Sequence, residues 1–198
     1  MTARWVVEEV VPHRGLNIVW QPISLMFKNE VSEDSDNYGP VYKTHQMLRV
    51  MEAIRAELGE DAVQRWYYLS GTTVHHDGNR DTADFAEMLE QLGFDTALAA
   101  AADDEKWDTE IRTRMDVGIE LAGNDIGTPI IALENSEGER QGYFGPIITR
   151  VPPTESSLKM WDALTMMMEV PGFWELKRTR TERPEFGDRP NLGVPAPR

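Results

Sequence analysis

Apolar positions recur at helical spacing along most of this chain, and two stretches break that rhythm. Ala3, Val6, Val7, Val10 and Val11 share one face, which predicts a helix over 2–11 with Pro12 and Gly15 as its stop. Valine is a poor helix former, so tertiary packing must hold this segment. Leu16, Ile18 and Trp20 then alternate with Asn17, Val19 and Gln21, a strand pattern closed by Pro22. After Leu25-Met26-Phe27 the chain is polar and irregular up to residue 40, with Glu30, Glu33, Asp34 and Asp36 forming an acidic loop.

From 40 to 122 the pattern is helical throughout. Met47, Val50, Met51, Ile54 and Leu58 form one stripe, and Ala62, Val63, Trp66, Tyr67 and Leu69 the next. Asp81 or Thr82 can cap a helix carrying Phe85, Met88, Leu89 and Leu92, which Gly93 terminates; Asp95 can cap a short helix over 96–102. Trp107, Ile111, Met115 and Ile119 repeat every four residues along a long helix ending near Gly123.

The second break begins at Gly127-Thr128-Pro129. Pro129 opens an apolar run, Ile130-Ile131-Ala132-Leu133, and a turn over 135–140 leads to a second strand that ends at Gly145-Pro146. Proline is tolerated at the first residue of a strand. Local sequence fits an ordinary strand start as well as a functional cis-proline, the rarer form of an X-Pro bond. A last helix is predicted over 154–168, with Thr154 or the following turn as its cap and Leu158, Trp161, Leu164 and Met168 on its core face. Met166-Met167-Met168 reads as pliable core packing. Residues 173–178 read as a short amphipathic turn, and prolines and charges from 179 onward predict an extended or disordered tail.

Composition narrows the function classes. The chain has 198 residues, a net charge of -14 and no cysteine. That length suits one domain, or one domain with an insertion. The acidity argues against nucleic-acid and anionic-membrane partners, which need a basic face. No apolar run reaches the roughly 20 residues of a membrane span, and no signal peptide is visible. Absence of cysteine removes disulfides, thiolate metal sites and cysteine nucleophiles from this sequence, and fits a cytoplasmic protein. The run 34–39 hints at a calcium loop, but its ligand positions fall on Tyr38 and His45 and the pattern fails. His75 and His76 are adjacent and point about 100° apart on a helix, a poor chelate. A helix-end role and a pocket role for a lone histidine both remain open. No G-x-G-x-x-G, P-loop or G-x-S-x-G string occurs.

The ordered set of elements resembles the thioredoxin-like plan of the DsbA family, and more closely its mycothiol-dependent nitroreductase branch. The residues that carry the resemblance are Thr2-Ala3-Arg4-Trp5, Gln21-Pro22-Ile23-Ser24-Leu25, Lys28-Asn29-Glu30, Val74-His75-His76-Asp77-Gly78, Val117-Gly118, Asp125-Ile126-Gly127-Thr128-Pro129, Tyr143-Phe144-Gly145-Pro146 and Phe173-Trp174-Glu175-Leu176-Lys177-Arg178-Thr179-Arg180-Thr181. The last two strings are the most specific, and the resemblance spans essentially the whole chain. It implies an α/β, thioredoxin-like (DsbA-type) fold in four segments: 1–27 as the first thioredoxin-like part, 28–122 as an all-helical insertion, 123–180 as the second part and 181–198 as the tail. It implies that Gly127, Thr128 and Pro129 form a cis-proline loop, that Met1, Thr2 and Trp5 mark the start of the active-site helix, and that Asn29, Tyr38 and His75 line a substrate pocket. No metal is implied. Mycothiol would be the reductant, and a small-molecule or disulfide compound the substrate.

The departure from the family is as informative. Its members begin with a strand and a C-P-W-C-type motif on the first helical turn, where the helix N-terminus lowers a thiol pKa. Here Met1 falls just past that motif, so the resemblance places the first strand and the cysteine pair upstream of Met1, with Met1 as an internal methionine of a longer protein. Loss of that strand would leave an apolar sheet edge able to pair two copies as a homodimer. As it stands the chain is expected to be redox-inactive. The alternatives are a cysteine-free binding or scaffold protein on the same fold, and a relative of the isomerase or glutathione-transferase-like branch.

Overall fold

The structure, a computed structural model, describes residues 1–190; the part of the expected tail at 191–198 lies outside the described residues. The protein is mixed α/β and mostly helical, with a two-stranded antiparallel sheet as the one sheet among the described residues. No helix among the described residues is long and apolar enough to cross a membrane. The chain forms two compact units.

The first unit comprises Met1–Ile18 and Val117–Gly187. It opens with α1 (Thr2–Arg4), continues as a π-helical segment (Trp5–Val10) and closes as α2 (Val11–Arg14). Pro12 was expected to end this helix, and it does not. It occupies the start of α2, where a missing N–H costs least, and the wide π turn sits immediately before it. Gly15 ends the helix in the left-handed conformation at φ 60°. The π turn also changes which residues face inward. Trp5 and Val10 are fully buried, whereas Val6, Val7 and Val11 are only partly so.

The sheet pairs β1 (Ile130–Glu134) with β2 (Arg140–Phe144), with Ile130 opposite Phe144 and Glu134 opposite Arg140. Asn135 closes the turn by accepting from the amides of Glu137 and Glu139. Ile131 and Leu133 pack with Trp5, Trp161 and Ile148. The opposite face meets the C-terminal part of α7 (Trp107–Ala122), where Ile130 lies against Gly118 and Gly142 against Leu121. α8 (Thr154–Met168) buries Trp161, Leu164 and Met168, and Trp161 meets Trp5 at 5.9 Å between ring centroids. Its cap differs from expectation. The N-cap is Pro153, Thr154 instead donates to Glu9 at 2.6 Å, and Ser157 donates to the carbonyl of Pro152. Of the three consecutive methionines only Met168 is buried. The turn expected over 173–178 does not form; the segment is irregular, and Trp174 is 85% exposed.

The strand expected over 16–21 is also absent, since residues 15–24 carry no regular structure. Alternation creates two faces, but a strand exists only with a ladder partner. The segment is divided between two cores: Leu16 packs with Trp5, and Trp20 with the second unit's cluster.

That second unit comprises Val19–Asp116 and, of the described residues after Gly187, 188–190. It holds α3 (Leu25–Lys28), α4 (Tyr38–Leu58), α5 (Glu60–His75), α6 (Phe85–Leu92), a 3-10 segment (Thr96–Asp103) and the first part of α7. Val50, Ile54, Val63, Trp66, Leu69 and Leu89 form the centre of its core. Asp84, not Asp81 or Thr82, caps α6, accepting from the amides of Ala86 and Glu87. Asp95 caps the 3-10 segment as predicted.

Candidate functional site

In the first unit the Thr128-Pro129 peptide bond is cis, and so is Gly145-Pro146, which the sequence marked only as a strand-ending break. The hairpin sets these two prolines beside each other, because the Gly145 amide donates to the Pro129 carbonyl at 2.8 Å. Thr2, at the start of α1, donates its hydroxyl to the Pro146 carbonyl at 2.6 Å. The beginning of the first helix and the Thr128-Pro129 loop thus share one hydrogen-bonded framework. Thr2 is buried, Thr128 is exposed, and Gly127 packs on the Phe144 ring. Trp5 is wholly buried in the core, so it supports this framework rather than facing a ligand. The Met1 ammonium has its pKa lowered, by burial first and by the Arg4 cation next.

In the second unit Asn29 is exposed and ends α3, its amide donating to the Leu25 carbonyl at 3.1 Å. Tyr38 opens α4 and stacks on Tyr42, with centroids 5.3 Å apart and ring planes 9° apart. Its phenol is pushed up by desolvation first and by the charge of Glu33 next. His75 is the last residue of α5, exposed at the helix end, and partial desolvation is the first cause that lowers its pKa.

A buried polar network in this unit went unseen in the sequence. Ser24 Oγ lies 3.0 Å from His45 Nδ1, and His45 Nε2 lies 3.0 Å from Asp108 Oδ1. Arg49 grips the same carboxylate with two bonds of 2.7 and 2.8 Å. A carboxylate only accepts, so Nε2 carries the proton and the neutral imidazole accepts from the Ser24 hydroxyl at Nδ1. Burial lowers the His45 pKa first, with the Asp108 charge opposing it. The order serine, histidine, aspartate imitates a nucleophile relay. Ser24 is fully buried, however, and its oxygen already accepts from the Phe27 amide at 3.2 Å, so no substrate reaches it. The only sequence signal was a polar His45 and Arg49 beside the apolar stripe of α4.

Among the described residues no group of three or more His, Cys, Asp or Glu could hold a metal ion. With no cysteine in the sequence, neither unit offers a thiol nucleophile.

A hairpin opened by Pro129 and packed by helices on both faces, in a chain that is otherwise mostly helical, defines a small mixed α/β protein. The chain belongs to the Rv2466c-like family, described as mycothiol-dependent nitroreductase Rv2466c, whose family model matches residues 1–178. It is also similar to the uncharacterized protein Rv2286c of Mycobacterium tuberculosis (strain ATCC 25618 / H37Rv), at 25% identity over 182 residues, covering 91% of this chain and 76% of that protein.

Proposed function

We propose that this chain carries the substrate-holding part of a DsbA-type, thioredoxin-like thiol oxidoreductase that works with mycothiol in the cytoplasm. Thr128 presents its main chain to an extended or thiol-conjugated ligand, and Pro129, which has no N–H, leaves that side free. Met1 and Thr2 mark the helix start beside which a dithiol acts. Within the helical unit, Asn29, Tyr38 and His75 are the residues that the resemblance assigns to polar contacts with a thiol ligand. The substrate is a nitroaromatic or disulfide compound. The observation that carries this reading is the framework in which Thr2 bonds to Pro146 while Gly145 bonds to Pro129.

Thiol-disulfide exchange needs an attacking thiolate, and this sequence has none. The chain as given therefore shows no mycothiol- or dithiothreitol-coupled reduction of nitroaromatics or disulfides above background. Measured turnover would overturn that statement. The second reading is a redox-inactive binding protein, which the absence of cysteine from this sequence supports; binding of a thiol conjugate without turnover would favour it.

A further inference from the structure

We propose that His45, Arg49 and Asp108 form a positioning hub that fixes Asn29 and Tyr38 relative to each other; this rests on the reading of those two residues as contacts to a thiol ligand. α3 has only four residues, too few to hold a helical turn by itself. What holds it is Ser24, whose oxygen accepts from the Phe27 amide while its hydroxyl donates to His45. The Phe27 ring stands edge-on to the imidazole at 4.5 Å, and the Arg112 guanidinium lies 3.5 Å from the Phe27 centroid. Asn29 is the cap at the end of this turn. That is one arm of the hub.

The other arm runs along α4. Arg49 lies 6.0 Å from the centre of the Tyr42 ring, and Tyr42 stacks on Tyr38. Tyr42 also approaches His45, at 6.4 Å between centroids. Asp108 joins the arms, because one carboxylate holds both His45 and Arg49, and Arg49 further donates to the Ala102 carbonyl. The charged and titratable groups facing His45 are Arg49 and Tyr42 from α4 and Asp108 and Arg112 from α7. Protonating Nδ1 would remove the acceptor for the Ser24 hydroxyl and loosen the turn that ends at Asn29.

The test uses the full chain and mycothiol itself as the calorimetric titrant, with amide exchange read at Phe27 and, as a control for folding, at Val50 and Ile54. N29A and Y38F weaken mycothiol binding. S24A and H45Q leave Val50 and Ile54 protected, speed exchange at Phe27, and weaken mycothiol about fivefold, the equivalent of one lost helix cap. Wild-type binding weakens as pH falls into the range where His45 protonates in the folded chain, which burial places below the usual histidine value, and H45Q removes the His45 share of that dependence. If N29A weakens binding while S24A and H45Q change neither Phe27 exchange nor affinity, the hub is refuted and the pocket reading stands. If N29A and Y38F bind mycothiol like the wild type, the pocket reading falls and the hub's role with it.

Discussion

Thr2 donates its side-chain hydroxyl to the main-chain oxygen of Pro146, 2.6 Å away and 144 residues further along the chain. Thr2 is 6% exposed, so water cannot replace the bond. Thr2→Val keeps the shape and leaves a half-buried carbonyl without its donor. The expected loss is about 1–3 kcal/mol, the cost of one unsatisfied buried polar group, and Thr2→Ser should recover most of it. Urea unfolding of the three proteins measures this directly. Equal midpoints for Thr2→Val and wild type would show that the helix start and the hairpin are held by apolar packing alone.

Gly142 makes a second long-range demand. A Cβ built there would lie 2.7 Å from Leu121 Cβ, closer than non-bonded carbons approach. The nearest atom belongs to the base of the leucine, so a rotamer change cannot clear it. Gly142→Ala should therefore push α7 away from β2 and cost about 1–3 kcal/mol, the usual range for overpacking. Leu121→Gly in the same chain removes that Cβ and should relieve part of that loss. A double-mutant cycle with no coupling between the two positions would refute the contact.

Glu52 lies inside the helical unit with its side chain fully buried. Arg55 hydrogen-bonds to it at 2.9 Å, and Arg114 forms an ion pair with it at 3.1 Å. Arg55 also pairs with Glu60 and donates to the Trp20 carbonyl, and Arg114 pairs with Glu110. Removing one partner of a buried pair leaves the other charges desolvated, which costs about 3–5 kcal/mol. The remaining acids soften this, so Glu52→Ala is expected near the lower end, about 3 kcal/mol. Thermal unfolding of Glu52→Ala against the surface variant Glu57→Ala gives the comparison. A loss below about 1 kcal/mol, the size of a surface pair, would show that water reaches the cluster.

The periodic parts of this fold were legible, and the parts decided by tertiary context were not. The long stripes that bury Val50, Ile54, Trp66 and Leu89 announce their helices, because each must hide one face. The hairpin is equally visible, since Pro129 and Gly145 punctuate both ends. The alternation at Leu16, Ile18 and Trp20 misled for a physical reason: its residues serve two cores, so the pattern records two burial sites and no strand. Pro12 misled because a π turn let the helix continue past it. The Ser24–His45–Asp108 network lay beyond sequence reading, since its members are far apart in the chain and meet only through packing. Thr2, Thr128, Pro129 and Pro146 all stood out by motif, but the hydrogen bond that ties Thr2 to Pro146 across 144 residues did not.

The same network makes stability depend on pH in a defined direction. Burial lowers the His45 pKa, Arg49 and Arg112 push the same way, and Asp108 pulls back. In the unfolded chain a histidine titrates near 6.5. Between that value and the lower folded one, the unfolded state binds the proton and the folded state does not, so stability falls as pH falls. The contribution is complete above about pH 6.5 and is lost as pH drops toward the folded pKa. Asp108 acts in a separate window. Burial opposes its ionisation, but the Arg49 bond and the His45 contact outweigh that, so its carboxyl pKa lies below the usual range and its share of stability is lost only in more acidic solution. His45→Gln cannot titrate, and should flatten the stability profile between pH 7 and pH 5 relative to wild type. The other three histidines are the same in both proteins, so the difference profile isolates His45. Urea midpoints at half-unit steps across that range decide the matter: parallel profiles would mean that His45 is protonated equally in the folded and unfolded chains.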